Sequence, residues 1–322
     1  MRTYRRITYE DRCQIYALWT AGNTQAKIGK ALGFSQGTVS RELARNTGQR
    51  GYRFQQAQRN AQSRQQQVRH QPRKLTIRVR RALARKLREE RWSPEQMSFW
   101  LRATRGVSLS HEWIYQMIGA NTRAGGDLWQ FLRRRGKRYN RRGAHTAGRG
   151  VIPRRTDIAD RPAIVDAKSR LGDWEGDTIV GAQHKGALLT HVERKSLFTT
   201  ISKLPRPTAQ ATHRATVRRL KPLRDHVHTI TYDNGKEFAG HSHTAYMLHA
   251  QIFFATPYHA WERGVNENTN GLIRDFFPKG TDFSTIHPAT VAKVERLLNG
   301  RPRKSLGFKT PNEVFHALAK RG

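Results

Sequence analysis

Residues 229–238, TITYDNGKEF, pass from Thr-Ile-Thr-Tyr into a carboxylate set against Asn-Gly. The β-branched and aromatic run predicts a strand. Asp233, Asn234 and Gly235 predict a tight turn at its end, because Asn and Gly adopt turn backbone readily and an Asp side chain bonds its own main chain. Taken alone this is an ordinary hairpin signal. Its surroundings give it a fold. Upstream, GDWEGDTIVGA (172–182) predicts a first strand with Asp177 beside Thr178, Ile179 and Val180, and GALLTHVERKS (186–196) and SLFTTISKLP (196–205) predict two more. A helix over 207–223 precedes the quoted strand, and after it come a helix about TAYMLHA (244–250), the strand QIFFA (251–255) and a helix from about Trp261 to Phe277. Three strands followed by alternating helix and strand imply a mixed α/β sheet.

Were the first and fourth strands neighbours, Asp177 and Asp233 would project from the sheet beside the last helix, which carries Glu267. Three carboxylates would then converge. Two unit charges about 4 Å apart repel by roughly 4 kcal/mol at an effective dielectric of 20. A hard cation such as Mg²⁺ or Mn²⁺ removes that cost, since it prefers carboxylate oxygen and water.

Composition identifies a polyanionic partner. The 322 residues hold 60 Lys+Arg against 24 Asp+Glu, a formal net charge of +36. Such an excess favours nucleic acid, whose phosphates release counterions when neutralised, over a membrane surface. The excess is concentrated in the first 150 residues. With Cys13 as the only cysteine, no disulfide within the chain and no Cys-containing zinc finger can form. His241, His243 and His249 lie close in sequence and are expected as polar surface. No apolar run of about 18 residues and no secretory signal are present, so a cytoplasmic, nucleoid-associated protein is expected.

The N-terminal stretch predicts three helices, over Tyr9–Gly22, from Thr24, and QGTVSRELARN (36–46) capped by Ser35, with Gly33 turning between the second and third. That is a helix-turn-helix pattern, whose third helix enters the DNA major groove. Gln36, Thr38, Ser40 and Arg41 are the candidate base-reading side chains. Domain by domain, the expectation is a helix-turn-helix at 1–52 and a Gln/Arg-rich linker at 53–72, read as an exposed helix or linker. A second helical, helix-turn-helix-like domain follows at 73–132, with Ser93, Pro94 and Gln96 starting a helix and Gly106 in the loop before the next. A basic linker occupies 133–162, the catalytic core 163–280 and a C-terminal helical segment 281–322.

Four segments in this order, WEGDTIVG, TYDNGKEF, ERGVNENTNGLIRDFFPKGTDF and RPRKSLGFKTPNEVF, behind a helix-turn-helix region, resemble the insertion sequence thirty family of bacterial transposases, within the DDE transposase and retroviral integrase superfamily. The resemblance implies an RNase H-like α/β core and a multimer that pairs two element ends. It also implies metal-dependent cleavage and transfer of DNA strands at terminal inverted repeats. It places the catalytic, metal-binding triad on Asp177, Asp233 and Glu267, with two Mg²⁺ (or Mn²⁺) ions bridged by Asp177. Glu262 competes with Glu267 for the third place. Asp173, Glu175 and Glu237 are expected as surface charges or local hydrogen-bond partners. Arg274, seven residues beyond Glu267, is expected to grip a DNA phosphate. A non-catalytic helix-turn-helix regulator explains the basic half but leaves the three acids without a role, and a ribonuclease of the same fold leaves the DNA-reading helices without one.

Overall fold

The computed structural model describes residues 5–70, 75–133, 152–256 and 263–320. The chain divides into two compact units, Met1–Lys74 and Leu75–Gly322.

In the first unit, α1 (Tyr9–Thr20), α2 (Gln25–Leu32) and α3 (Gln36–Asn46) each begin at a hydroxyl cap. The Thr8, Thr24 and Ser35 hydroxyls accept from the amides of Asp11, Lys27 and Thr38, satisfying donors that a helix start leaves open. Gly33 closes α2 at φ 71°, a left-handed conformation that suits glycine. A two-residue hairpin, β1 (Thr47–Gly48) with β2 (Gly51–Tyr52), leads into α4 (Phe54–His70). Ile15, Ile28, Val39, Leu43, Tyr52 and Ala57 form the core. The stretch expected as an exposed helix or linker is helical, and its first turns pack on α1 and α3: Phe54 meets the rings of Tyr9 and Tyr16 at 5.7 and 5.6 Å. Two apolar side chains at its start suffice for this docking, and the Gln-rich remainder hides them from a composition-based reading.

The second unit opens with α5 (Ile77–Glu90), α6 (Pro94–Arg105) and α7 (His111–Arg123), packed around Leu83, Met97, Leu101 and Ile114. Ser93 and Gln96 form the anticipated reciprocal cap, and Gly106 turns α6 at φ 63°. A mixed sheet follows, built from β3 (Thr156–Asp157), β4 (Asp173–Val180), β5 (Ala187–Glu193), β6 (Thr199–Leu204), β7 (Thr229–Tyr232) and β8 (Gln251–Phe254). Its order is β3-β8-β7-β4-β5-β6. β4, β5 and β6 run antiparallel in sequence, while β4, β7, β8 and β3 are parallel. This is the RNase H-like arrangement, with the first and fourth strands of the core side by side.

Helices cover both faces. A short α8 (Ala163–Asp166) precedes β4. One face buries Trp174, Leu189, Ile230, Tyr232 and Phe254 under α9 (Ala209–Leu220), α10 (His241–Leu248) and Phe315 of α13 (Pro311–Ala319). The other buries Ile179, Leu188 and Ile201 under α11 (Gly264–Ile273) and α12 (Pro288–Asn299). Side chains alternate along a strand. With Trp174 on the first face, Glu175, Asp177 and Ile179 share the second, toward α11. Gly176 points back to the first face, where the Tyr232 ring lies so close that a Cβ would sit 2.2 Å from Cε1.

Candidate active site

The β4–β7 register aligns Glu175 with Thr231. Two residues further along parallel strands, Asp177 comes level with Asp233, just beyond the end of β7. The turn predicted there is present: the Gly235 amide donates to Asp233 Oδ1 at 3.0 Å. Asn234 donates to the Ala255 carbonyl at 2.7 Å and accepts from Arg155, anchoring the turn to the end of β8.

Arg263, the residue before α11, stands between the two aspartates. Its Nη1 lies 3.9 Å from Asp177 Oδ2 and its Nη2 3.6 Å from Asp233 Oδ2. It also donates to the Gly176 carbonyl at 3.0 Å. Burial pushes the Asp177 carboxyl up to about 6. The Arg263 guanidinium opposes this, while the nearby charges of Asp233 and Glu237 add to it. The Thr178 hydroxyl donates to Glu237 at 2.6 Å, so this acid, expected as a surface charge or a local hydrogen-bond partner, takes the second role and adds to the site's charge.

α11 is fixed to the same face by polar contacts. The Asn266 amide donates to Glu175 Oε2 at 2.9 Å and the Asn270 side-chain amide to Asp177 Oδ2 at 2.8 Å. Thr190 of β5 donates toward the side-chain oxygens of both asparagines. Glu175, 1 % exposed, pairs with Arg194 at 2.7 Å; burial raises its pKa and Arg194 opposes the rise. Glu175 is thus no surface charge. Asp173 is likewise buried and is held by Arg170 and Thr229. The sequence offered one signal for these roles, the alternation of acids with Trp174 and Gly176 along a strand otherwise rich in buried residues.

Glu267 sits in the first turn of α11, exposed, between the two asparagines that tie the helix to β4. The structure brings Asp177 and Asp233 to the same Arg263 guanidinium and carries Glu267 on α11, which packs on β4 and β5. Among the described residues no three His, Cys, Asp or Glu are already arranged around a metal position. The donors fit a hard divalent cation in kind: two carboxylates on adjacent strands compete for one cation, and one of them is destabilised in its charged form by burial. Glu262 lies outside the described residues. Arg274 follows the end of α11, donates to the Val180 carbonyl at 3.1 Å and lies over the Phe283 ring, so part of its hydrogen-bonding capacity goes to the end of β4. The three histidines are separately engaged. His241 bonds the Pro153 carbonyl, His243 meets the His213 ring and His249 caps α10.

In the first unit, Arg41 and Gln36 are exposed on α3, Thr38 and Ser40 are partly covered, and Thr38 shares its hydroxyl with Ser35. A concavity of about 620 Å³ beside α3 is lined by Arg5, Arg6, Arg41, Arg45 and Arg64. Buried in this unit, Arg12 and Glu42 pair at 2.8 Å, and Tyr52 donates to the same carboxylate.

Residues 3–46 match a family described as a helix-turn-helix domain. The chain is 44% identical to the transposase for insertion sequence element IS4351 of Bacteroides fragilis, across 98% of this chain and 96% of that protein. It is 33% identical to transposase InsI for insertion sequence element IS30A of Escherichia coli strain K12, across 98% and 84%. Among solved structures, the catalytic core domain of BIV integrase aligns at a TM-score of 0.35 and 19% identity, covering 46% of this chain and 96% of that one. A helix-turn-helix unit joined to an RNase H-like sheet with aspartates paired on its central strands defines a DDE-type transposase. The chain belongs to the insertion sequence thirty (IS30) family of these enzymes.

Proposed function

We propose that this transposase binds the terminal inverted repeats of its element and cuts and joins DNA there, with Asp177, Asp233 and Glu267 as its metal-holding carboxylates. The observation that supports the assignment is the approach of Asp177, on β4, and Asp233, just past the end of the adjacent parallel strand β7, to one Arg263 guanidinium at the start of the helix that bears Glu267. The ions proposed are two Mg²⁺, replaceable by Mn²⁺. When bound they activate the attacking water or DNA 3′-hydroxyl and stabilise the leaving oxygen of an in-line displacement.

The remaining work falls to the chain. Asp177, held by Asn270, keeps its oxygens aimed at the space shared with Asp233, and the Asp233 turn stops the strand there, leaving room for a phosphate. Glu175 and Thr190 fix the first turns of α11 and hence the approach of Glu267. Gln36, Thr38, Ser40 and Arg41 read base edges from α3, and phosphate contacts from the surrounding arginines set its register. Arg274 adds a phosphate contact through the donors left to it. The proposed modules are the DNA-reading helices of 1–52, a second helical module at 73–132, the core at 163–280 and a C-terminal helical segment at 281–322. A homo-oligomer holds two element ends for joining. The test is metal-dependent joining of a labelled element end to a target plasmid. Joining by the wild-type chain and none by Asp177→Asn supports the assignment; equal joining by both defeats it.

A further inference from the structure

A second site of polar chemistry lies away from the carboxylates. Within the second unit, a cavity of about 680 Å³ is lined by Arg91, Arg133, Arg301 and Arg303, with no Asp or Glu among the described residues of its wall. A volume of this size suits a small ligand. Two of these arginines are core residues by exposure, Arg301 at 3 % and Arg303 at 8 %. Cations are rarely buried without a partner of opposite charge; Arg301 feels the charge of Asp275, while the charges that bear on Arg303 are those of Arg301 and Arg133. Arg301 donates through Nε to Gln96 at 3.0 Å and to the Arg91 carbonyl, and Arg303 donates to the Leu298 carbonyl at 3.2 Å. Among the described residues, Arg301 Nη1, Arg303 Nε and the indole N–H of Trp92, 4 % exposed, are buried without a hydrogen-bond partner.

Grouped guanidinium charge along one cavity wall calls for an anion that accepts hydrogen bonds, and phosphate does so. Burial, with the charges of Arg301 and Arg133, brings Arg303 down to about 9, the repulsion an anion would relieve. The wall is also aromatic. Tyr115 and Trp129 are 50 % and 42 % exposed, a surface on which a nucleobase can stack. Leu272 of α11 forms another part of the wall, and Arg133 donates to Asn268, the residue after Glu267, at 3.0 Å. Five residues of helix, about 7.5 Å of rise, separate Glu267 from Leu272. A ligand here would press on the helix that positions the third carboxylate.

We propose that this cavity binds one nucleotide of a DNA strand, its phosphate on Arg301 and Arg303 and its base against Trp129 or Tyr115. The choice of DNA as the source rests on the transposase function, not on the assignment of the carboxylates. The experiment is photocrosslinking of the full chain with a 5′-phosphorylated dinucleotide carrying 5-iodo-deoxyuridine, followed by peptide mapping. The expected adducts fall on the peptides holding Tyr115 or Trp129. They should weaken at least tenfold in Arg303→Met, keep their yield in Asp177→Asn, and be competed by thymidine monophosphate better than by inorganic phosphate or thymidine.

Arg303→Met should also melt no lower than wild type in phosphate-free buffer, because it removes a buried cation from a cluster of like charge. Should it fail to fold, Trp129→Ala, at a half-exposed position, carries the same test through loss of the Trp129 adduct and weaker dinucleotide binding by calorimetry. Adducts confined to the first unit, or undiminished by both variants, overturn the proposal, as does competition by inorganic phosphate equal to that by the nucleotide. Loss of strand transfer in Asp177→Asn with the adduct intact would separate this site from the carboxylate site.

Discussion

The two units handle charge in opposite ways. In the helix-turn-helix unit the arginines face solvent around α3, and one buried ion pair, Arg12 with Glu42, ties α1 to α3. In the sheet the acids go inside: Asp173, Glu175 and Glu193 are almost fully covered, and Asp177 is partly covered. A surface that reads DNA bases can trade side chains without losing its fold, because water solvates whatever is exposed. A carboxylate that must meet a cation at a fixed place is set by a buried network, so its neighbours are structural and functional together.

The largest effect that could break this comparison is on chemistry. Asp177→Asn, Asp233→Asn and Glu267→Gln should each lower strand transfer by about a thousandfold or more, since each removes ligand charge with little change of shape. Binding to an element end in a mobility-shift assay should stay within about twofold of wild type. Near-normal transfer by any one of them would strike that residue from the triad.

Next in size is the buried network. Glu175→Ala leaves Arg194 with only the more distant carboxylate of Asp166, 3.7 Å away, and Asn266 without its acceptor, a loss of about 3 kcal/mol by urea unfolding. An equal loss from truncating the surface residue Arg41 would erase the distinction between the units. Arg41→Ala should instead leave stability within about 0.5 kcal/mol and cost about 1–3 kcal/mol of discrimination between the element end and random DNA. Equal weakening on both DNAs would make Arg41 a phosphate contact.

The smallest expected effect concerns pH. Burial and the nearby Arg219 charge lower the His191 pKa to about 3, below its ordinary value of 6.5. Between these values the unfolded chain binds the proton and the folded chain does not. The stability contributed is therefore complete above about pH 6.5 and is lost as pH falls toward 3. Between pH 7 and 5 this amounts to about 2 kcal/mol, and His191→Gln should flatten that part of the unfolding profile. An unchanged slope in the variant would place the acid sensitivity elsewhere.

Much of the sheet was legible because its signals are local. β4, β7 and β8 have bulky alternating or continuous apolar runs bounded by Gly or polar turns, and Ser35 and Ser93 cap helices as their spacing requires. The pairing of Asp177 with Asp233 was legible only conditionally, since strand order is a long-range property. Three features were not readable. Glu175 and Glu237 look in sequence like any surface acid, and only the covering helix or the neighbouring Thr178 gives them work. Arg263 lies in the sequence just ahead of α11, and its position between two carboxylates depends on β4 and β7 being adjacent. The docking of α4 turns on Phe54 and Ala57 within a stretch whose composition is otherwise that of a solvated helix.

The missing side chain at Gly176 acts as a gauge. Adjacent strands keep a spacing of about 4.8 Å only if nothing is wedged between them, and here the flat Tyr232 ring fills the volume a Cβ would claim. Tyr232 immediately precedes Asp233, and Gly176 immediately precedes Asp177. A methyl group at 176 would push on the ring from the face opposite the acids and tilt or widen the β4–β7 seam, and the two carboxylates one residue further on would part with it. The spacing of the two carboxylates is thus calibrated from the back of the sheet, by a contact that involves neither of them.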